Sequence, residues 1–381
     1  MKVSELLKAA KSQTGLDQLG DDSILAPLEI LVDSINREAK LSERGEQNVQ
    51  RTLIGHLVNR LRIEDYLAQN PELLERPVER PMFVFGLPRT GTTLLINLLN
   101  EDPMRRSFLR WESMDPVPPP KISELKAGPR FDKCQELTAM SLKYAPHISA
   151  IHHEDADSPT ECQFLMAPSF VAEYYDSMYD IPSYGRYMLY EADYLPAFKF
   201  HKRYLQLLQA ETGGRWTLKN PWHPLFLDSL RAVYPDAQLV MTHRDPVEVV
   251  GSACSLLKAV RPMFSDEVDL LAIGRTLLET FDVMVERTTA YLATYGQDSI
   301  CHVQYLDMMS DPVGEVKRVY RHFGEELSDA AEQAMQQYLE SNPKGKHGKH
   351  TYSLEDYGLT EGAIRERYQG YMDRFGVKTR S

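Results

Sequence analysis

Pro81-Met82-Phe83-Val84-Phe85-Gly86-Leu87-Pro88-Arg89-Thr90-Gly91-Thr92-Thr93-Leu94-Leu95-Ile96-Asn97-Leu98 is the stretch on which the reading of this chain turns. The β-branched and aromatic run from Met82 to Phe85 predicts a short buried strand. Gly86 to Gly91 predicts a tight loop, and the apolar residues from Thr92 onward predict a helix. A strand, a glycine-bearing loop and a helix in that order form an oxyanion site. Successive backbone N–H groups point into one concavity, and the helix N-terminus adds its partial positive charge.

Gly86 and Gly91 have the Gly-x-x-x-x-Gly spacing of a Walker A loop, but the Lys that follows the second glycine there is Thr92 here. Arg89 supplies the cation from inside the loop instead. No strand ends in an Asp suited to a Walker B role, so a metal-free phosphate or sulfate donor fits better than a magnesium-chelated triphosphate.

The segment Gly86 to Leu95 resembles the 5′-phosphosulfate-binding loop of sulfotransferases that use 3′-phosphoadenosine 5′-phosphosulfate (PAPS), in particular the bacterial and tyrosylprotein groups with Arg in the loop. The resemblance runs over roughly residues 81 to 355 and implies an α/β fold: a P-loop-type three-layer sandwich with a central parallel sheet, an N-terminal helical segment and a helical cap insertion. It implies that Arg89 and the backbone around Thr90, Gly91, Thr92 and Thr93 hold the 5′-phosphosulfate. Glu112, a little over twenty residues beyond Arg89, corresponds to a candidate general base. Lys219 and His223 follow the strand Arg215-Trp216-Thr217-Leu218-Lys219. His223 trails Lys219 by four residues, where the cytosolic animal enzymes have two, so either Glu112 or His223 stands as the base, the two in hydrogen-bonding reach of one another.

Further on, the strand Gln238 to Thr242 leads into His243-Arg244-Asp245-Pro246. Asp245 as N-cap, Pro246 at N1 and Glu248 at N3 make a capping-box pattern. Arg244 and Ser252 match the family's 3′-phosphate segment, and Tyr305 matches a position near the adenine. The basic run Asn342 to Tyr352 resembles a C-terminal loop over the 3′-phosphate, which makes Lys344, Lys346, His347 and Lys349 donor contacts. Two rival readings remain: a P-loop kinase of a small alcohol, and a nucleotide-binding protein that has lost the chemistry.

Around these motifs, residues 1–80 read as a helical segment that packs outside the sheet or forms a homodimer contact. Residues 81–381 read as the α/β domain, with 121–214 as an acceptor-side helical insertion and 342–381 as a basic loop and helix. Its Tyr174, Tyr175, Tyr179, Tyr184, Tyr187, Tyr190 and Tyr194 lean toward an apolar or aromatic small-molecule hydroxyl acceptor. Pro159 and Glu161 read as the first turn of a helix. His152 and His153 do not close a metal coordination set, and no metal is expected. The formal net charge of −12 disfavours a nucleic-acid surface. Four scattered cysteines and the absence of an apolar run long enough for a span or leader fit a cytoplasmic protein without integral membrane contact.

Overall fold

A computed structural model describes residues 1–144, 154–343 and 352–380. The chain folds around a five-stranded, wholly parallel sheet in the order β2-β3-β1-β4-β5. The strands are β1 (Met82–Gly86), β2 (Arg105–Ser107), β3 (Arg215–Lys219), β4 (Gln238–His243) and β5 (Cys301–Gln304). β1 lies at the centre, in register with β3 through Phe83 and Leu218 and with β4 through Phe83 and Leu239. All five of its residues are buried, as expected of a short apolar run covered on both faces. Phe83 and Phe85 face the larger core, while Met82 and Val84 face a second one closed by Leu95, Val316 and Met335. Helices thus cover both faces and make three layers.

Parallel pairing brings the carboxyl ends of all the strands to one edge. There the chain continues into the loop after Gly86, the turn after Lys219, Arg244 and Tyr305. In open α/β sheets this edge, at the point where the strand order reverses, is where ligands bind. β2 was not expected. Its three residues carry two arginines and become a strand only because β3 supplies the partner backbone, with Arg105 opposite Arg215.

The N-terminal helical reading holds: helices span Val3–Thr14, Leu25–Glu38 and Glu43–Gln69. Asp245 caps the helix Pro246–Val260 by accepting from Val247 N–H at 2.9 Å, as its sequence suggested. Glu248, however, does not close a capping box, because its carboxylate accepts Arg244 Nε at 2.7 Å.

A helix starting at Pro159 is overturned. Pro159 bridges Leu109 antiparallel, and Glu161 bridges Lys219 parallel. Thr160 N–H and Cys162 N–H donate to the carbonyls of Phe108 and Lys219 at 2.8 Å each. Backbone acceptors left at the sheet's edge capture this segment, and the helix starts only at Gln163. The four cysteines are buried and free. No described helix is long and apolar enough to cross a membrane, and the described residues contain no cluster suited to a metal ion.

Candidate active site

β1 ends in Gly86, where a Cβ would stand 2.4 Å from the Thr242 carbonyl oxygen, so only glycine lets the loop leave against β4. At Gly91, with φ of 97°, a Cβ would meet Met308 Cε at 2.6 Å and the Tyr305 ring at 2.9 Å. Arg89 itself adopts the left-handed conformation with φ of 72°. Such a non-glycine residue stores about 1–3 kcal/mol and recurs at ligand clamps. Thr90 fixes the loop from within, with its hydroxyl donating to the Leu87 carbonyl at 2.7 Å and meeting Thr242 Oγ1 at 2.6 Å. Thr90 is fully buried, so it braces the loop from beneath.

The helix Thr92–Asn100 starts at Gly91 with no side-chain cap. Its first N–H groups therefore have no intrahelical acceptor and present a set of donors beside Arg89. Arg89 Nε donates to Ser252 Oγ at 3.1 Å. Arg244 Nη1 donates to the Arg89 carbonyl at 2.9 Å, and its guanidinium lies 4.4 Å over the Tyr305 ring. The structure thus joins four of the expected donor residues, Arg89, Arg244, Ser252 and Tyr305, into one strip along the ends of β1, β4 and β5. Burial, and after it the adjacent Arg244 charge, hold the Arg89 guanidinium below its ordinary pKa. Two cations kept this close mark a place where an anion relieves the strain.

Lys219, at the end of β3 and 1% exposed in its side chain, pairs with Glu161 Oε1 at 3.0 Å. Glu161 is the residue the sequence reading missed. Glu161 thus pairs with one of the two cations expected to hold the transferred group, and its charge also favours the charged form of the other, Arg89.

Glu112 and His223 are each enclosed in the interior. Glu112 is wholly buried, with one carboxylate oxygen on Arg106 and the other accepting Leu109 N–H at 2.9 Å. Arg106 in turn stacks 4.3 Å over Trp216. Burial pushes the Glu112 carboxyl up despite Arg106. His223 is also fully buried, edge-on to Phe83 at 5.2 Å and to Phe226 at 5.4 Å, with Phe198 at 6.0 Å. Neither ring nitrogen has a hydrogen-bond partner among the described residues, and burial followed by the nearby His201 holds the imidazole well below its usual range. The expected Glu112–His223 hydrogen bond is absent, because each ring or carboxylate is enclosed by a different set of neighbours.

Lys344, Lys346, His347 and Lys349 lie outside the described residues, as do His152 and His153. Tyr352, which follows that basic run, docks on the helix of Ser252. Its hydroxyl donates to the Glu248 carbonyl at 3.2 Å, and its ring occupies the space a Cβ at Gly251 would need.

The helix Glu43–Gln69, expected to pack outside the sheet or to form a homodimer contact, lines one side of a cavity of about 840 Å³. Phe164, Tyr174, Met178 and Phe264 form the opposite wall. His56 on that helix meets Tyr174 Oη at 2.5 Å, and burial lowers its imidazole to about 3.

Beside Tyr174, Glu173 is buried and accepts from Tyr194 Oη at 3.1 Å. Burial, with Asp176 adding to it, pushes its carboxyl up to about 8. A carboxyl raised on folding binds a proton in the native state that the unfolded state has lost. Stability should therefore fall as pH rises from the ordinary carboxylate range toward 8, at up to about 1.4 kcal/mol per pH unit. Urea midpoints for Glu173→Gln should lose that slope. An equal slope in both proteins would refute it.

The sulfotransferase family model matches residues 81–329. The crystal structure of sulfotransferase STF9 from Mycobacterium avium superposes with a TM-score of 0.92 at 32% identity, covering 99% of this chain and 97% of that one. Sulfotransferase STF1 from Mycobacterium tuberculosis gives 0.86 at 34% identity, covering 97% and 99%. The omega-hydroxy-beta-dihydromenaquinone-9 sulfotransferase Stf3 of Mycobacterium bovis is 24% identical over 78% of this chain and 75% of its own length. The chain belongs to the sulfotransferase family, and its general chemistry is sulfuryl transfer.

Proposed function

We propose that this protein transfers the sulfuryl group of PAPS to a hydroxyl of a small-molecule acceptor with an apolar or aromatic body, releasing adenosine 3′,5′-bisphosphate. The observation that carries this reading is the contact of Arg244 and Ser252 with Arg89, through the Arg89 carbonyl and Nε. A nucleotide bearing phosphates on both the 3′ and 5′ positions of one ribose needs two adjoining cationic sites. A triphosphate donor does not.

In this reading the uncapped N–H groups after Gly91 and the Arg89 guanidinium receive the 5′-phosphosulfate, Arg244 and Ser252 the 3′-phosphate, and Tyr305 borders the base. Lys219 faces the sulfuryl oxygens and the bridging oxygen, where negative charge grows. The acceptor oxygen forms the new S–O bond as the bond to the 5′-phosphate oxygen breaks, and the acceptor proton needs a base. We assign that base to Glu161 rather than to Glu112 or His223, because Glu161 is the carboxylate that touches Lys219. The reaction needs no metal in this scheme, and a cytoplasmic setting agrees with the free cysteines.

Thermal denaturation tests the donor. Adenosine 3′,5′-bisphosphate without magnesium, at a hundred times its Kd, should add about 2.7 kcal/mol of stability. ATP with magnesium should add much less; the reverse order would favour a kinase. Binding of the bisphosphate with no sulfated product from any alcohol or phenol would leave a nucleotide-binding protein without chemistry.

A further inference from the structure

We propose that the cavity between the helix Glu43–Gln69 and the residues around Phe164 is the acceptor site, and that its acceptor is an anionic amphiphile: an apolar chain or ring with the reacting hydroxyl at one end and a carboxylate or phosphate at the other. The proposal rests on the sulfotransferase reading and names the substrate class of that same site.

Phe164 links the cavity to the segment that carries Glu161. It lines the cavity and lies in the short helix that begins two residues after Glu161, in the segment whose Cys162 N–H is tied to the Lys219 carbonyl. Arg110, also in the lining, stacks 4.6 Å over Phe164 and pairs with Glu154 at 3.8 Å. One wall of the cavity is apolar, with Met178, Tyr179 and Phe264 joining Phe164 and Tyr174, while Gln47, Gln50 and Asn59 give the facing helix a polar share of the lining. The His56 imidazole in the wall adds no charge, since burial keeps it neutral.

Charge argues for the other end of the ligand. Five cationic side chains line the cavity (Arg51, Arg62, Arg110, Arg130 and Lys133) against one carboxylate, Asp115. In a chain of net charge −12 this is a local reversal of sign. Three of the five are matched: Arg62 pairs with Asp115 at 2.7 Å, Arg110 with Glu154 at 3.8 Å, and Arg130, tied to the Asp115 and Pro118 carbonyls at 3.1 and 2.6 Å, with Glu124 at 3.5 Å. Arg51 and Lys133 are exposed and have no carboxylate partner among the described residues. A cavity with an apolar wall and surplus positive charge selects a ligand with an apolar body and one anionic end.

Gly55 offers a clean way to block it. It lines the cavity from the middle of its helix, and a Cβ there would meet nothing within 4 Å. Tryptophan at this position should fill the cavity without backbone strain, and leaving glycine behind favours the helix.

The test uses ω-hydroxy fatty acids and the α,ω-diols of equal chain length as acceptors with PAPS, together with thermal shifts by each compound without nucleotide. The hydroxy acids should give the higher kcat/KM, rising about fourfold per added methylene until the cavity is full. Arg51→Glu with Lys133→Glu should lower kcat/KM for the hydroxy acids about tenfold and change that for the diols less than twofold. Gly55→Trp should abolish the hydroxy-acid shift and leave the adenosine 3′,5′-bisphosphate shift intact. Diols preferred over hydroxy acids, equal losses for both in the charge-reversed protein, or an unchanged hydroxy-acid shift in Gly55→Trp would each overturn the assignment. A missing bisphosphate shift would overturn the donor reading instead. The hydroxy-acid shift is read without nucleotide, so the two failures are distinguishable.

Discussion

Glutamine at Glu161 should lower acceptor turnover by about 10²- to 10⁴-fold, the range for loss of a positioned proton acceptor. The affinity for adenosine 3′,5′-bisphosphate should change less than about threefold. The amide keeps the shape of the carboxylate and can still accept from Lys219 Nζ, which now lies 3.0 Å from Glu161 Oε1. What it cannot do is take a proton. A carboxylate that served only to hold Lys219 would give a different result: kcat would fall modestly and the pH profile would keep its acidic limb, whereas loss of the base removes that limb.

Glu112→Gln is the informative partner. Glu112 neutralises Arg106 in a fully buried pair, and leaving one buried charge unmatched costs about 3–5 kcal/mol. Its expected signature is therefore a lower urea midpoint. If Glu112→Gln folds normally and loses turnover while Glu161→Gln retains it, the base is Glu112 and the assignment to Glu161 is wrong.

These two glutamates also show what the sequence could and could not carry. The phosphate loop is legible because its signals are local: an apolar strand, two glycines at fixed spacing and a helix pattern that begins after Gly91. The helix at Pro246 is legible for the same reason, since cap and proline are neighbours. Glu161 was misread because Ser158-Pro159-Thr160-Glu161 has the local grammar of a helix start. The backbone acceptors of Phe108 and Lys219 override it, and they come from distant parts of the chain.

The same holds for His223. Nothing in Trp222-His223-Pro224 reveals that Phe83, Phe198 and Phe226 will enclose the ring from three separate segments. β2 had no alternating pattern to find. Arg105 is tolerated in the interior because Glu325 reaches it at 2.7 Å from beyond β5. The helix Glu43–Gln69 shows a buried face in its periodicity, but periodicity does not tell whether the other face meets solvent or a cavity.

Alanine at Arg244 should raise the Kd for adenosine 3′,5′-bisphosphate about 10- to 100-fold, the equivalent of losing about 1.5–3 kcal/mol of hydrogen bonding to a charged group. The Kd for adenosine 5′-monophosphate should move less than about threefold. The contrast follows from position. The guanidinium is held by Glu248 at 2.7 Å, by the Arg89 carbonyl at 2.9 Å and by the Tyr305 ring at 4.4 Å. It is therefore oriented before any ligand arrives, and little entropy is lost on binding. A ligand without a 3′-phosphate has nothing for it to grip. Lysine at the same position should recover only part of the affinity, because a point charge cannot donate to Arg89 and a phosphate through one planar fork. Because Arg244 donates to the Arg89 carbonyl, its removal also loosens a loop residue held at positive φ. Some loss of 5′-monophosphate affinity would report that loosening. Equal losses for both nucleotides, measured by calorimetry, would mean that Arg244 supports the loop and does not read the 3′-phosphate. The two cationic sites would then be one, and the case for a doubly phosphorylated nucleotide would fall with it.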